Sequence, residues 1–349
     1  MTDAKRIFPF ALIALIVFSS AHAQSFVFLS DRLPRAGAER ITGYAQQTDV
    51  FLYRDGSELR LTHTDDASEY DAVPSPSGTL LAYVRVDLSP VADVPAAPAP
   101  LGWHIEVLDL VTLRIVDRWQ IDGSTGMTRP AGGFQLRWLP DEQALLAQVP
   151  TAPDAWEVHR FDRGVPRSTR LTEGFGIVLD AAGSRFATEH DGVVYALDVT
   201  TGADEATVPV AVAAGTPLGW AGEEVLIALP EGMVRVSPTE SGVVDVFAFP
   251  GDYGAVAWSP DGAHYAVVLQ QDGYWFVIVA NRDNGFVEDY QLPGPVEGLD
   301  WVADDTLVFA VEREATHFGI ATLRLDGYDP VVVDSWADDF GPRVVRRGR

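Results

Sequence analysis

The chain has 349 residues, of which 47% are hydrophobic, and it carries 50 acidic against 25 basic residues for a formal net charge of −25. It contains no cysteine, and its only lysine is Lys5. These counts exclude disulfides, thiolate metal sites and cysteine nucleophiles, and beyond Lys5 they exclude lysine chemistry. The acidic field also repels nucleic acids and anionic lipids, so we expect no nucleic-acid partner.

The first 23 residues have the pattern of a signal peptide. Lys5 and Arg6 precede an apolar run over residues 7–18, and small residues follow up to Ala23. This predicts export to the periplasm or the extracellular space, with cleavage near Ala23 and a new N-terminus at Gln24. The alternative is an N-terminal membrane anchor, but a run of about a dozen apolar residues is shorter than the roughly 20 that a spanning helix needs. No later segment is long enough to span a membrane.

The rest of the chain alternates with a period of two and is punctuated by Gly, Asp, Asn and Pro, as in residues 156–161, 193–197, 243–249 and 274–280. This pattern is typical of short β-strands. One unit recurs: a strand that ends at Trp258, a Ser-Pro-Asp-Gly turn, and three further strands up to residue 292. We expect this tryptophan to pack against a neighbouring unit, with the Asp and Gly forming the turn.

Equivalent anchor positions recur along the chain at intervals of 64, 41, 41, 38 and 43 residues, at Pro74, Trp138, Leu179, Trp220, Trp258 and Trp301. Four strands over about 40 to 45 residues make one blade of a β-propeller. The long first interval contains a Pro/Ala-rich insertion from Leu88 to Gly102, which we expect to form a loop.

The two ends complete the count of blades. Residues 25–32 resemble a second strand without its first, residues 49–54 and 58–63 supply the third and fourth strands, and residues 340–347 form a spare strand. Pairing the N- and C-terminal strands would close the ring and remove its free edges. The prediction is an all-β fold in which residues 24–349 form one seven-bladed propeller of four-stranded antiparallel blades, with six or eight blades as alternatives.

Three short motifs carry a family resemblance. They are Phe-Leu-Ser-Asp-Arg at residues 28–32, Arg-Leu-Thr at 60–62 and 170–172, and Trp-Ser-Pro-Asp-Gly at 258–262. Together they resemble the WD40-like (PD40) repeat of the TolB-type propeller family, in its propeller part only. The resemblance implies a periplasmic or surface location and protein binding through the propeller faces.

The densest group of carboxylates is a candidate calcium site, at Asp65, Asp66, Glu69 and Asp71. We expect these residues on a connecting loop, where calcium would find the oxygen ligands that it prefers. The alternative is an unliganded, solvated acidic loop. No other cofactor is expected.

Two further groups are weaker candidates. Glu312, Glu314 and His317 place two carboxylates and an imidazole close together on an expected hairpin, while the histidines at positions 63, 104, 159, 190 and 264 are scattered. The C-terminal arginines at positions 343, 346, 347 and 349 form a basic patch on an acidic chain.

The leading functional hypothesis is a monomeric, non-catalytic binding module that presents its propeller-face loops to an envelope or extracellular protein or glycan. The alternative is a hydrolase or lyase that uses carboxylates and a divalent metal at the channel mouth. A third class, a structural surface protein, predicts self-association. The ligand and the order of the loops from Leu33 to Thr48 and from Leu88 to Gly102 stay open at this point.

Overall fold

A computed structural model describes residues 25–30, 48–54, 57–64, 67–88, 100–121, 134–152, 155–202, 204–207, 215–229, 231–238, 242–247, 250–282, 287–314, 317–326, 331–332 and 339–344. The predicted signal peptide, most of both long loops, Asp65, Asp66 and the last five residues lie outside this range. Over the described residues the chain forms seven four-stranded sheets in which neighbouring strands are antiparallel.

The strands of the first four sheets are β1 (Ser25–Ser30), β2 (Asp49–Arg54), β3 (Ser57–Arg60), β4 (Ala67–Pro74), β5 (Leu80–Leu88), β6 (Pro100–Asp109), β7 (Arg114–Ile121), β8 (Leu136–Trp138), β9 (Ala144–Ala152), β10 (Ala155–Asp162), β11 (Thr169–Glu173), β12 (Phe175–Leu179), β13 (Arg185–His190), β14 (Val193–Asp198) and β15 (Asp204–Thr207).

The remaining strands are β16 (Thr216–Ala221), β17 (Glu224–Leu229), β18 (Gly232–Ser237), β19 (Gly242–Phe247), β20 (Asp252–Trp258), β21 (His264–Gln271), β22 (Tyr274–Asn281), β23 (Val287–Leu292), β24 (Val296–Ala303), β25 (Thr306–Glu314), β26 (His317–Arg324), β27 (Val331–Val332) and β28 (Asp339–Val344).

Each sheet from the second to the seventh consists of four consecutive strands, beginning at β4, β8, β12, β16, β20 and β24. The first sheet has the order β28-β1-β2-β3, so the C-terminal strand occupies the first place in the N-terminal sheet. Phe26 pairs with Val344 and Ser30 with Asp339. The seven first strands contact one another in the order β28, β4, β8, β12, β16, β20 and β24, and β24 contacts β28.

The hydrophobic core lies between neighbouring sheets. For example, Trp103 and Trp119 of the second sheet pack with Phe161 of the third. A cluster of the same kind joins the seventh sheet to the first, where Phe26 and Phe28 pack with residues that include Val308, Ala310 and Ile320. Each sheet therefore buries both of its faces, which explains the largely apolar strands such as β9 and β21.

Three of the anchor tryptophans link their sheet to the preceding one, as the repeat predicts. The indole Nε1 of Trp138, Trp220 and Trp301 donates to the main-chain oxygen of Val73, Val178 and Ala257, respectively, at 3.0 Å each. Trp258 occupies the same place, but its buried Nε1 has no hydrogen-bond partner in the described part of the chain.

The predicted turn chemistry is also present after Trp258. Asp261 accepts a hydrogen bond from the amide of Ala263, two residues on, at 2.9 Å. Gly262 has a φ of 68°, which a glycine adopts at little cost. β5 ends at Leu88 and β6 begins at Pro100, so Leu88 and residues 100–102, which were expected in a loop, lie in strands. Residues 89–99 of the Pro/Ala-rich insertion lie outside the described residues.

Candidate functional site

Four charged side chains lie on adjacent first strands, in the middle of the molecule. They are Asp71 on β4, Arg137 on β8, Asp300 on β24 and Arg343 on β28. In the order of contacts these strands run β24, β28, β4, β8. All four residues keep part of their surface exposed although they lie on the innermost strands. We call these four residues the charged girdle.

The main chain at Asp71 forms a bulge that repeats around the molecule. The register of β4 against β5 shifts between Tyr70 and Val73, and Asp71 has a φ of 43°. The equivalent position, three residues before the anchor, is Gly176 in the fourth sheet and Gly298 in the seventh, with φ values of 76° and 68°. Asp71 therefore adopts, with a side chain, a left-handed conformation for which two other sheets use glycine.

The carboxylate of Asp71 links two sheets. Its Oδ2 accepts a hydrogen bond from the amide of Leu136 on β8 at 2.5 Å. The same relation recurs one sheet further on, where Gln135 Oε1 accepts from the amide of Ile177 at 2.8 Å. In both cases a side chain satisfies an N–H group on the inner edge of the next sheet.

The two arginines of the girdle hold main-chain carbonyl groups. Arg137 Nη1 donates to Leu136 O at 2.8 Å, and Arg343 Nη1 reaches from β28 to Leu299 O of β24 at 3.0 Å. Leu299 directly precedes Asp300, so Arg343 is brought next to the acidic residue of the neighbouring sheet. The girdle thus alternates acidic and basic residues: Asp300, Arg343, Asp71 and Arg137.

Burial and neighbouring charges shift the pKa values of two girdle residues, Asp71 and Arg137. Burial raises the pKa of Asp71, while Arg137, Arg343 and the amide of Leu136 partly offset this rise. Burial, followed by the charge of Arg343, lowers the pKa of Arg137, and Asp71 and Asp300 oppose that shift. Both pKa shifts favour the neutral forms of Asp71 and Arg137, because their neighbours do not fully replace water.

A second buried acidic group lies between the first and second sheets. Glu69 on β4 is fully buried, and its Oε1 accepts a hydrogen bond from Thr64 at 2.7 Å. Its other oxygen, Oε2, has no hydrogen-bond partner among the described residues. Burial raises the pKa of Glu69 to about 8; the hydrogen bond from Thr64 opposes this rise and the charge of Asp49 adds to it. Asp49 is itself held by Arg60 at 2.6 Å.

The structure describes only two of the four predicted calcium residues, Glu69 and Asp71. Asp65 and Asp66 lie outside the described residues. Glu69 and Asp71 lie in strand β4, so the expectation that they occupy a connecting loop is wrong for these two. They bond to different partners, Thr64 and the amide of Leu136. In the described ranges no group of three or more His, Cys, Asp or Glu side chains is placed to hold a metal ion. Calcium binding stays a prediction.

The other predicted site residues are not brought together where the structure describes them. Glu314 and His317 pair across the β25–β26 hairpin, but their side chains lie outside the described part, and Glu312 lies in β25. His104, His159 and His264 each bond within their own sheet, to Asp87, Glu157 and Asn281, respectively. Of the terminal arginines, Arg343 joins the girdle and the other three lie beyond the described residues.

A chain of polar contacts on the third sheet has the residue types of a hydrolytic triad. His159 approaches Ser168 through Nδ1 at 3.0 Å and Glu157 through Nε2 at 2.9 Å. Glu157 also binds Arg170 at 2.6 Å. His159 and Glu157 lie on β10, Arg170 lies on β11 and Ser168 directly precedes β11, so the contacts cross the two strands farthest from the girdle. They stabilise the outer part of one sheet.

An apolar strip is exposed on the second sheet. Val111 is 79% exposed, and Leu113, Ile115 and Val116 are also exposed, on the β6–β7 turn and on β7. β7 is the last strand of its sheet, so this strip lies at the outer edge of the molecule. Exposed apolar groups of this kind often mark protein-binding surfaces.

Comparisons with known structures identify the fold. TolB from Acinetobacter baumannii superposes with a TM-score of 0.55 and 13% identity over 93% of this chain and 67% of that chain. A chain of the mitotic checkpoint complex gives a TM-score of 0.54 at 12% identity, over 76% of this chain and 82% of that one. The fold is that of a β-propeller.

Prolyl oligopeptidase B from Galerina marginata also superposes on the propeller, with a TM-score of 0.57 and 11% identity over 85% of this chain. This chain covers only 48% of that enzyme. At such low identities the likenesses show the fold alone. No family model matches the sequence, and no curated protein matches it either. Among the described residues, no helix has the length and apolar character to cross a membrane.

The sequence-based search found only Asp71 and Arg343 of the girdle, and placed them in two unrelated groups. Arg137 and Asp300 were missed. Both directly precede an anchor tryptophan, Trp138 and Trp301. Comparing the residue before each anchor around the propeller would have shown that most are small or apolar and that these two are charged.

Proposed function

We propose that the chain is an exported, monomeric, non-catalytic binding propeller that recognises an envelope or extracellular protein or glycan. Its binding surface is the mouth of the central channel, where the charged girdle lies, together with the propeller-face loops around it. The seven four-stranded sheets are the blades of one closed ring, and the strand β28 joins its two ends.

The ring and its blade number are supported by two independent features of the described residues. The first strands contact one another in a cycle without a gap. Apolar clusters join every neighbouring pair of sheets, including the seventh and the first. In a closed ring every blade has two neighbours, as these contacts require.

The girdle is the observation that carries the binding function. Charged side chains on innermost strands cost desolvation energy, and a protein that needed only stability would fill these places with apolar groups. Here two acidic and two basic residues lie on the first strands of four adjacent blades and keep part of their surface exposed. A preformed set of opposite charges recognises a complementary polar group on a partner.

The hydrolase or lyase alternative uses the same place, since Asp71 and Asp300 are two carboxylates near the channel. A divalent metal would have to bind beside Arg137 and Arg343, whose charges act on Asp71. Two neighbouring cations weaken the attraction of these carboxylates for a metal ion. The arginines therefore favour binding over metal-assisted chemistry.

The proposal of export and of a TolB-type relationship is supported by the signal-like N-terminus, by the PD40-like motifs at residues 28–32, 60–62 and 258–262, and by the structural similarity to TolB. The exposed apolar strip on β7 offers a second surface for a protein partner.

A pull-down from the envelope fraction of the source cells tests the function. The bait is the purified protein in three forms: wild type, Arg137→Gln with Arg343→Gln, and Arg170→Gln. Arg170 is an exposed arginine on an outer strand, so it is the matched control for the loss of a positive charge. We expect a partner that the wild type and the control retain and that the girdle variant releases.

If the wild type retains no partner, or if all three forms retain the same ones, the girdle is not the binding surface. Size-exclusion chromatography of the wild type is run in parallel. Elution as a concentration-dependent oligomer would favour the structural class of surface protein instead.

A further inference from the structure

Asp71 occupies a place that is unfavourable for a charged side chain. A left-handed conformation is less favourable for a residue with a side chain than for glycine, although Asp tolerates it better than most. Two other blades use glycine at this position. Burial raises the pKa of Asp71 in addition, so the ionised form carries a second penalty.

The hydrogen bond of Asp71 does not require that charge. In the next blade the neutral amide of Gln135 accepts the equivalent bond, from Ile177, with a similar length. A glutamine or asparagine at position 71 would satisfy the amide of Leu136 as well. What a neutral residue would not supply is attraction for Arg137 and Arg343, the two charges that act on Asp71.

Arg137 and Arg343 have more hydrogen-bond donors than they use in the described part of the chain. A guanidinium carries five N–H donors. Within the described residues, the contact of each girdle arginine is a single hydrogen bond to a main-chain carbonyl, from Arg137 to Leu136 and from Arg343 to Leu299. Each side chain also keeps an exposed part. Each arginine therefore has donors that make no hydrogen bond within the described residues.

Burial and, after it, the charge of Arg343 lower the pKa of Arg137, so the two arginines repel each other where water screens their charges poorly. An anion between them would relieve this repulsion. A carboxylate fits two guanidinium groups well, since each of its oxygens accepts hydrogen bonds in the plane of the group.

We propose that Arg137 and Arg343 bind a carboxylate of a peptide partner at the channel mouth, and that Asp71 and Asp300 hold the two arginines in place when the site is empty. This inference rests on the proposed binding function and names its ligand chemistry. The net charge of −25 restricts the ligand further, because a polyanion would be repelled by the rest of the surface. The carboxylate belongs to a peptide that is otherwise uncharged or basic.

Saturation-transfer difference NMR on the purified full chain tests the inference with three probes. The first is acetylated tetra-alanine with a free terminal carboxylate, the second is the same peptide as its terminal amide, and the third is acetyl-Ala-Asp-Ala-amide. With the wild type, we expect transfer to the first probe and none to the second. Transfer to the third probe decides whether a side-chain carboxylate is also accepted.

The expected effect of Arg137→Gln, and separately of Arg343→Gln, is at least a tenfold weaker affinity for the first probe. Arg170→Gln should bind it like the wild type. Arg137→Lys keeps the positive charge but lacks the planar guanidinium group, so we expect an affinity between those of the wild type and Arg137→Gln. This variant replaces Arg137→Gln in the test if Arg137→Gln does not fold. Thermal melts establish folding for every variant.

Equal transfer to the acid and the amide, no transfer to either, or unchanged affinity in all arginine variants would overturn the carboxylate site. The pull-down separates this failure from that of the proposed function. If the girdle variant releases a partner but the wild type ignores every carboxylate probe, the binding function stands and only the ligand chemistry is wrong.

Discussion

Glu69 makes the stability of this protein depend on pH in an unusual direction. Its pKa is raised from 4.5 to about 8 by burial, so at neutral pH the folded protein holds it protonated while the unfolded chain does not. A raised pKa in the folded state gives stability that is complete below the unfolded value and is lost as the pH rises toward the folded value. Stability should therefore fall between pH 4.5 and pH 8.

The size of the effect follows from the shift. At 1.36 kcal/mol for each pH unit, the whole interval corresponds to about 5 kcal/mol as an upper limit. Glu69→Gln removes the titrating proton and keeps an acceptor for Thr64, whose hydroxyl donates to Oε1. The variant should match the wild type within about 1 kcal/mol near pH 5 and be more stable than the wild type by several kcal/mol near pH 8.5.

Urea unfolding followed by tryptophan fluorescence at intervals from pH 5 to pH 9 measures this, since the chain has 9 tryptophans. Glu231→Gln, at an exposed turn residue, is the matched control and should leave the pH profile unchanged. A wild-type profile without a decline over this interval, or an identical decline in Glu69→Gln, would show that Glu69 is ionised in the folded state.

Four further predictions rest on the architecture and the sequence. Trp301→Phe should destabilise the protein by about 1–3 kcal/mol more than Trp258→Phe, because it leaves the buried oxygen of Ala257 without its donor, whereas Trp258 Nε1 has no partner to lose among the described residues; equal melting shifts would contradict this. Trp258→Ala itself should cost about 3–5 kcal/mol, and an unchanged melt would show that its packing between blades is unimportant. N-terminal sequencing of the secreted or periplasmic protein should begin at Gln24, and recovery of Met1 in the membrane fraction would instead indicate an anchor. If calcium binds at Asp65, Asp66, Glu69 and Asp71, a chelator should lower the melting temperature of the purified protein, whereas an unchanged melt would leave these residues as an unliganded acidic segment.

The strand pattern was readable from the sequence because each blade repeats the same local code. Apolar alternation defines the strands, and the tryptophans at 138, 220, 258 and 301 lie within the last three residues of first strands, where the repeat places them. These features depend on neighbours within about ten residues, which a sequence displays directly.

The charged site was not readable in the same way. Four carboxylates in seven residues are typical of a solvated loop, yet Glu69 and Asp71 lie in a first strand because the flanking Ala67 and Ala72 are buried between sheets. The girdle joins residues from positions 71 to 343, and their proximity depends on how the sheets are arranged around the channel. A sign of the girdle becomes visible in the sequence only when the residues that precede the anchor positions are compared from repeat to repeat.

The pairing of β1 with β28 has a consequence for how the molecule is made. The two strands are more than three hundred residues apart in sequence, so the inner edge of β1 stays uncovered until β28 has been synthesised. Contacts of such long range form slowly, since a large loop must close first. Until then the edge of β1 and the apolar faces of Phe26 and Phe28 remain open to chaperones, and to unwanted pairing with other chains.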